Sequence, residues 1–250
     1  MERGTAQVLY KAIYERRSVR RYNNQTVDEQ IMQDIITFAE DTVLRLYPEI
    51  RTALDIVPPS EVGKLGVVKA PHFLLFYTDK GADDVQHLLN AGFFLQHLDL
   101  YLHTLGLGRC WLGLARPKQR SKDGLAHCIT LAFGYTDDEL TRPSSDFKRK
   151  SLSQMSTGDD PRLEAARLAP SAVNSQTWFF AAHNQSIDVY QAVVSPLKKR
   201  LYGVMNSIDM GIALCHLQLA SLHYQMSYQY RILPPEEAPH KENFEYLATI

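Results

Sequence analysis

Two periods alternate in the apolar positions of this chain. HFLLFYT from His72 and ITLAFGY from Ile129 are short, nearly continuous apolar runs rich in β-branched and aromatic residues, the pattern of buried strands. WFFAA from Trp178, IDVYQA from Ile187 and the closing NFEYLATI add three more, the last of them alternating. Between these runs lie stretches with helical spacing. They are Ala6 to Glu15, a second helix in which Ile31, Ile35, Phe38, Thr42 and Leu46 share one face, Leu88 to Leu107, a short helix from Pro161 to Leu168, and a long one from Ile208 to Tyr228. Thr26 with Glu29 three residues on predicts a capping box at the start of the second helix. Asp160 is the expected cap of the short helix, whose first turn suits Pro161. Pro48 to Gly66 reads as loop.

The element order is written twice. After a charged, proline-containing link from Asp137 to Lys150, a helix, strands and a second long helix follow again. Setting Gly92 on Gly211, an offset of 119 residues (211 − 92), pairs Leu95 with Leu214, His97 with His216, Leu98 with Leu217 and Leu100 with Leu219. Leucines alone would match between any two buried helices, so spacing and element order carry the argument. The expectation is an α+β chain of two related halves, residues 1–150 and 151–250, each with a small sheet and a long central helix, packed intimately as one unit.

Composition narrows the function without naming it. A chain of 250 residues buries a sizeable core unaided, and 45% hydrophobic with 22% charged residues is ordinary for a globular protein. The net charge of −1 gives no support to a nucleic-acid or membrane-surface role. Leu88 to Leu107 is broken by Gln96, His97, Asp99 and His103, which argues for a buried helix and against a membrane span. Cys110, Cys128 and Cys215 have no CxxC spacing and point to a reducing compartment. MERGTAQVLY has no apolar leader, so a cytoplasmic location is expected. The nine histidines show no metal spacing, and His97 and His216 read as packed helix residues. No Walker loop, HExxH or GxSxG occurs, and Gly106-Leu107-Gly108 lacks the third glycine of a dinucleotide fingerprint.

One stretch stands out. In LAPSAVNSQTWFF, residues 168 to 180, Pro170 stops a helix and Ser171, Asn174 and Gln176 follow before an aromatic run. Taken alone, this is a helix stop whose Ser and Asn satisfy local backbone groups. The basic cluster RRSVRR at 16–21, taken alone, complements the end of the first helix.

Together with GLGRCWLGL at 106–114 and KRKSL at 148–152, these stretches resemble the four signatures of the FMN-dependent nitroreductase family, over most of the chain. The resemblance implies an arginine and serine phosphate grip of Arg16, Ser18 and Arg20, with Arg17 beside it and Arg149 or Lys150 closing from the other side. Guanidinium groups suit a flavin phosphate because they make planar, charge-assisted hydrogen bonds. It implies that Leu112, Gly113 and Leu114 present backbone to flavin N5, glycine allowing close approach. It implies that Pro170, Ser171 and Ala172 approach the ring while Asn174 and Gln176 serve its polar atoms. In that family the grip and the PSxxNxQ segment come from different subunits, whereas here each occurs once, in different halves. A fused pseudo-dimer with one complete site follows, for which a monomer would suffice.

The activity implied is transfer of a hydride from NADH or NADPH through FMN to a small-molecule electron acceptor, a nitroaromatic, quinone or enone. No side chain is then needed as catalytic acid or base, and Cys110 has no partner that would make it a nucleophile. An FMN carrier or sensor, its ring covered by Trp178 or the Pro48 to Gly66 loop, and a flavin-free scaffold are the rival readings.

Overall fold

Ala6, Leu9 and Ile13 bury one face of the first helix, α1 (Arg3–Glu15). The computed structural model describes residues 1–23, 25–63, 68–79 and 85–250. The second helix, α2 (Glu29–Asp41), is shorter than its apolar spacing suggested and has no capping box at Thr26. Val27 is buried, which keeps the chain extended through Asp28, so the helix opens at Glu29. It closes before Leu46 because the backbone N–H groups of Leu46 and Tyr47 are taken by Asn90 Oδ1, at 3.0 and 3.4 Å. Strand β1 (Thr52–Val57) lies inside the stretch read as loop. Its six residues are all half-buried at a sheet edge, so it has neither an apolar run nor a clean alternation. Residues 64–66 of that expected loop lie outside the described residues.

The predicted strand at His72 is β2 (His72–Thr78), followed by the central helix α3 (Gln86–Thr104), β3 (Gly108–Leu112), a short β4 (Ser121–Lys122) and β5 (Leu125–Gly134). These strands form one antiparallel sheet in the order β1-β2-β5-β3, with β4 paired to β5. The later part of the chain runs α4 (Leu152–Met155), β6 (Ser156–Thr157), α5 (Leu163–Arg167), β7 (Trp178–His183), β8 (Ser186–Ala192), α6 (Pro196–Tyr224) and β9 (Phe244–Thr249). Its sheet is ordered β6-β7-β8-β9, with only the β6–β7 pair parallel. The short helix opens at Leu163, two residues later than expected, because Asp160 accepts from both the backbone, at 2.9 Å, and the guanidinium of Arg162 and holds Pro161 and Arg162 in a turn ahead of it.

Helix α6 begins twelve residues before Ile208 and ends at Tyr224, where Gln225 turns left-handed. Its first turns expose Leu197, Leu201 and Val204, so burial gave that end no pattern to read.

Helices α3 and α6 are buried on all sides over their central turns, as expected of core helices without a polar face. They cross at two glycines. A Cβ on Gly92 would lie 2.0 Å from the Ile208 carbonyl oxygen, and one on Gly211 would lie 2.1 Å from the Leu89 carbonyl oxygen. These contacts are reciprocal under the offset of 119, which carries Leu89 onto Ile208 and Gly92 onto Gly211. Polar pairs cross the same interface. His97 Nε2 lies 2.8 Å from Gln218, and His216 Nε2 lies 3.1 Å from Gln96. Burial lowers the two histidines to about 4 and about 3, so both are neutral at pH 7. Among the described residues no helix is long and apolar enough to cross a membrane, and no disulfide joins the three cysteines.

Gly211→Ala is predicted to destabilise the fold by about 3 kcal/mol, because the clashing atoms are backbone and cannot rotate away. Gly203→Ala in the same helix meets only the Lys199 side chain at 3.5 Å and should be neutral or stabilising. Urea unfolding of both variants checks this; equal midpoints would remove the glycine crossing as a constraint.

Candidate functional site

Burial of charge is the feature that organises this region. Arg16 and Asp99 are both essentially inaccessible to solvent, with Nε and Oδ2 2.8 Å apart. Arg109 is equally buried, 4.0 Å from the other carboxylate oxygen. Asp99 on α3 is thus shared between two guanidinium groups. Arg109 Nη1 donates to the Leu107 carbonyl at 3.4 Å, while its Nε and Nη2 have no hydrogen-bond partner among the described residues. Burial, opposed by Asp99 and reinforced by Arg16, lowers Arg109 to about 9.

The cluster continues outward. Arg142 donates from Nε to the Arg16 carbonyl at 3.1 Å and lies 3.7 Å above the Phe147 ring, while Arg149 lies 5.7 Å from the same ring. Burial lowers both to about 10, and neighbouring arginines reinforce it: Arg16 and Arg17 act on Arg142, and Arg142, Arg16 and Arg167 on Arg149. A protein normally pairs such groups, because an uncompensated buried cation is costly. Here cations outnumber the carboxylate at their centre.

The residues expected at a phosphate grip divide. Arg16 is committed to Asp99 and donates from Nη2 to Ser18 Oγ at 3.2 Å. Arg17 and Ser18 are half-buried and Arg20 is exposed. The segment runs beside β3, since Val19 N donates to the Arg109 carbonyl at 2.9 Å and Val19 packs where a Gly108 side chain would be. Strand β3 then delivers Leu112, buried, Gly113, half-buried, and Leu114, which is 67% exposed.

Arg149 ties this cluster to the polar loop. It donates to Asn174 Oδ1 at 2.7 Å and to the carbonyls of Ala169 and Leu168 at 3.0 and 3.3 Å. Asn174 Nδ2 donates to the Lys148 carbonyl at 2.8 Å. Gln176 is buried and occupied: Oε1 accepts from Lys150 N at 2.7 Å, Nε2 donates to the Asn174 carbonyl, and its own carbonyl accepts from Lys150 Nζ. Ser171 Oγ accepts from Gln176 N at 3.1 Å. Pro170, Ser171 and Ala172 are half-buried, and Val173 points outward, 78% exposed. Val173, Asn174 and Gln176 all have positive φ, at 47°, 56° and 47°, so the loop is held in conformations that cost energy in non-glycine residues.

The first turns of α6 complete the assembly. Met205 packs on Gly113, where a Cβ would lie 2.7 Å from its sulfur. One turn on, Asp209 accepts from Ala172 N at 3.1 and 3.0 Å and from Ser175 Oγ at 3.4 Å. The four stretches singled out in the sequence are thus bonded in two pairs, 16–21 with 106–114 and 148–152 with 168–180, and Arg142 and the first turns of α6 bridge the pairs. Asp99, Arg142, Met205 and Asp209 are not legible from the sequence as part of this region, although Asp99 stands out as the one carboxylate in a largely apolar helix, and Arg109 lies within the stretch 106–114 with no role assigned to it there. Among the described residues no cluster of His, Cys, Asp and Glu could hold a metal ion.

A family model described as "Putative TM nitroreductase" matches residues 8–221. A "putative nitroreductase" from Thermotoga maritima shares 19% identity and superposes with a TM-score of 0.63, covering 96% of this chain and 91% of its own. That match establishes the nitroreductase fold. A nitroreductase family protein from Clostridium difficile 630 (19% identity, TM-score 0.46) covers 58% of this chain and 94% of its own. An "FMN-dependent nitroreductase" from Clostridium difficile R20291 (19% identity, TM-score 0.41) covers 55% and 93%. No curated protein matches the sequence.

A cationic cluster short of negative charge should be stabilised by an anion. Millimolar inorganic phosphate is predicted to raise the thermal midpoint of the ligand-free protein above that in chloride at equal ionic strength, and Arg149→Met should remove most of the difference. Identical midpoints in the two salts would exclude an anion site here.

Proposed function

The chain belongs to the nitroreductase family, and from that premise we propose that it is an oxidoreductase holding one FMN within a single chain, reduced by NADH or NADPH and reoxidised by a small-molecule acceptor. One observation carries the reading: an arginine cluster with more cations than the carboxylate at its centre can balance is joined by Arg149 to the loop at 168–177. A flavin phosphate has the charge such a cluster lacks, and Arg109 keeps two buried N–H groups without a partner. The residues present fit the group.

Arg17, Ser18 and Arg20, with Arg142 and Arg149, would hold the phosphate, and Arg16 would contribute long-range charge and the Nη groups not spent on Asp99. Gly113, between Leu112 and Leu114, offers backbone with no side chain of its own, and Met205 lies over it. Pro170, Ser171 and Ala172 form the ring-side wall. Asn174, Gln176 and Lys150 keep that wall rigid through their bonds to one another and to residues 148–150. When bound, FMN supplies hydride transfer at N5, and the protein's part is binding, orientation and electrostatics. Leu114 and Val173 expose apolar surface at the two ring-side segments, which suits a flat, weakly polar acceptor such as a nitroaromatic, a quinone or an enone.

The two halves, 1–150 and 151–250, are read as a pseudo-dimer. The reciprocal glycine contacts at an offset of 119 support this. So does the presence of the phosphate and ring segments once each, on opposite halves.

FMN should bind with a stoichiometry of one per chain, and Arg20→Ala should weaken it by roughly one to two decades, the worth of a charge-assisted contact of about 1.5–3 kcal/mol. Anaerobic NADH or NADPH should bleach the bound flavin; a flavin that binds and stays oxidised with both would leave a carrier in place of the enzyme. Refolding Arg20→Ala together with Asn174→Ala should restore no binding if the site lies within one chain. Recovery of wild-type affinity in a mixed dimer would place the site between chains.

A further inference from the structure

The loop at 168–177 has a counterpart in the first half of the chain, and the two are held differently. In the ring-side loop, Ser175 N donates to the Ala172 carbonyl at 3.0 Å; 125 residues earlier, Ile50 N donates to the Tyr47 carbonyl at 3.2 Å. Each turn follows a helix, α5 or α2, and precedes the first long strand of its half, β7 or β1. A residue of the long helix anchors each turn through its backbone N–H: Asp209 takes Ala172 N, and Asn90 takes Tyr47 N. Asn90 and Asp209 stand at the same offset of 119 that pairs Gly92 with Gly211. The anchors are the same in position and differ in chemistry.

Asn90 shows that a neutral amide suffices. Its Oδ1 accepts from Leu46 N and Tyr47 N, and its Nδ2 donates to the Tyr47 carbonyl at 3.3 Å. Asp209 makes comparable bonds with a carboxylate that is 3% exposed. What a carboxylate adds over an amide at such a place is a charge that can be switched. We infer that Asp209 is a positioning residue for the ring-side loop, and that its ionisation sets how firmly Ala172 and Ser175 are held. The inference rests on the flavin reading for its functional half.

Among the described residues no cation pairs with the carboxylate. Along α6 its neighbours one turn away are Met205 and Ala213. From α3, the residues at the crossing are Leu89, Gly92 and Phe93, all uncharged. The loop presents Ala172 and Ser175, and the end of β3 approaches through Gly113 and Met205. The cations tied to the loop, Arg149 and Lys150, are bonded to Asn174, to Gln176 and to the carbonyls of Leu168 and Ala169. Burial raises Asp209 to about 7, against the opposing pull of Ala172 N–H and Ser175.

The sign of the effect follows from linkage. A carboxyl raised in the folded state stabilises the fold fully below its unfolded value, and this contribution is lost as pH rises through about 7. The bonds to Ala172 and Ser175 change in the opposite sense, because an ionised acceptor is the stronger one. His97 and His216, neutral in the folded state, add stability as pH rises, but equally in wild type and Asp209→Asn, so between pH 6 and 8 the wild-type protein should lose global stability relative to Asp209→Asn while its loop tightens. A carboxyl with a merely structural role would move both together.

Hydrogen exchange on the FMN-free protein, read as protection factors over residues 168–177, with urea unfolding alongside, tests this at pH 6, 7 and 8 for wild type and Asp209→Asn. Wild-type protection at Ala172 should rise roughly tenfold across this range while global stability falls relative to Asp209→Asn, whose protection at Ala172 should be flat. Flat protection in the wild type, or the same pH dependence in both proteins, would overturn the proposal whether or not flavin binds. The FMN dissociation constant is then measured for both. Titration of the FMN phosphate cancels in the ratio of the two proteins, so wild type should gain severalfold on Asp209→Asn from pH 6 to pH 8. A ratio independent of pH would overturn the positioning role. A loop that switches in a protein binding no FMN at any pH would overturn the flavin reading, leaving the Asp209 switch in place without that function.

Discussion

The crossing of α3 and α6 at Gly92 and Gly211 is the constraint from which the rest of the arrangement follows. Each glycine lies against a carbonyl of the opposite helix, closer than any side chain allows. Two helices meeting at backbone distance have no freedom to slide, because every residue to either side is then placed against a fixed partner. That contact seats Asp209 beneath the loop at 168–177 and Asn90 beneath the turn at 47–50. It also presents Asp99 to Arg16. The site is thus positioned by an apolar contact that contains none of its chemistry.

Around that crossing the protein has distributed charge unevenly. Asp99 balances one of the two buried arginines beside it, and burial lowers the affinity of Arg142 and Arg149 for protons, with Arg16 acting on both and Arg142 on Arg149. Such an arrangement costs stability in the absence of an anion, and a cost of that kind persists where a ligand offsets it. Cation–π contacts with Phe147 and carbonyl acceptors on Arg16, Leu168 and Ala169 hold Arg142 and Arg149 in place meanwhile.

What the sequence made legible depended on how many residues had to agree. β2, β7, β8 and β9 appear where their apolar runs lie, since burial on a sheet demands a pattern. The long helices and their offset were legible for the same reason, whereas the four stretches were legible only through the family they resemble together. The start of α6 was not, because an exposed helix leaves its period undetermined. The end of α2 was hidden differently: Ile31, Ile35, Phe38 and Leu46 keep helical spacing, but Asn90, more than forty residues away, takes the amides that a longer helix would need. The roles of Arg109, Arg142 and Asp209 are set by contacts between distant segments, and no local spacing encodes them.

The same reasoning bears on Gln176 and Asn174. A polar residue next to a proposed ligand is easily read as a ligand contact, yet each side chain here bonds its own chain at both ends. Positive φ at Val173, Asn174 and Gln176 makes the loop expensive to form, so bonds that over-determine it have a physical purpose of their own. Rigidity of that sort is what a ring-binding wall requires, because a loop ordered before the ligand arrives loses no further entropy on binding. Asn174 and Gln176 therefore act first on the loop, and in the proposed flavin site their influence on the ring would be exerted through the shape they enforce on Pro170, Ser171 and Ala172.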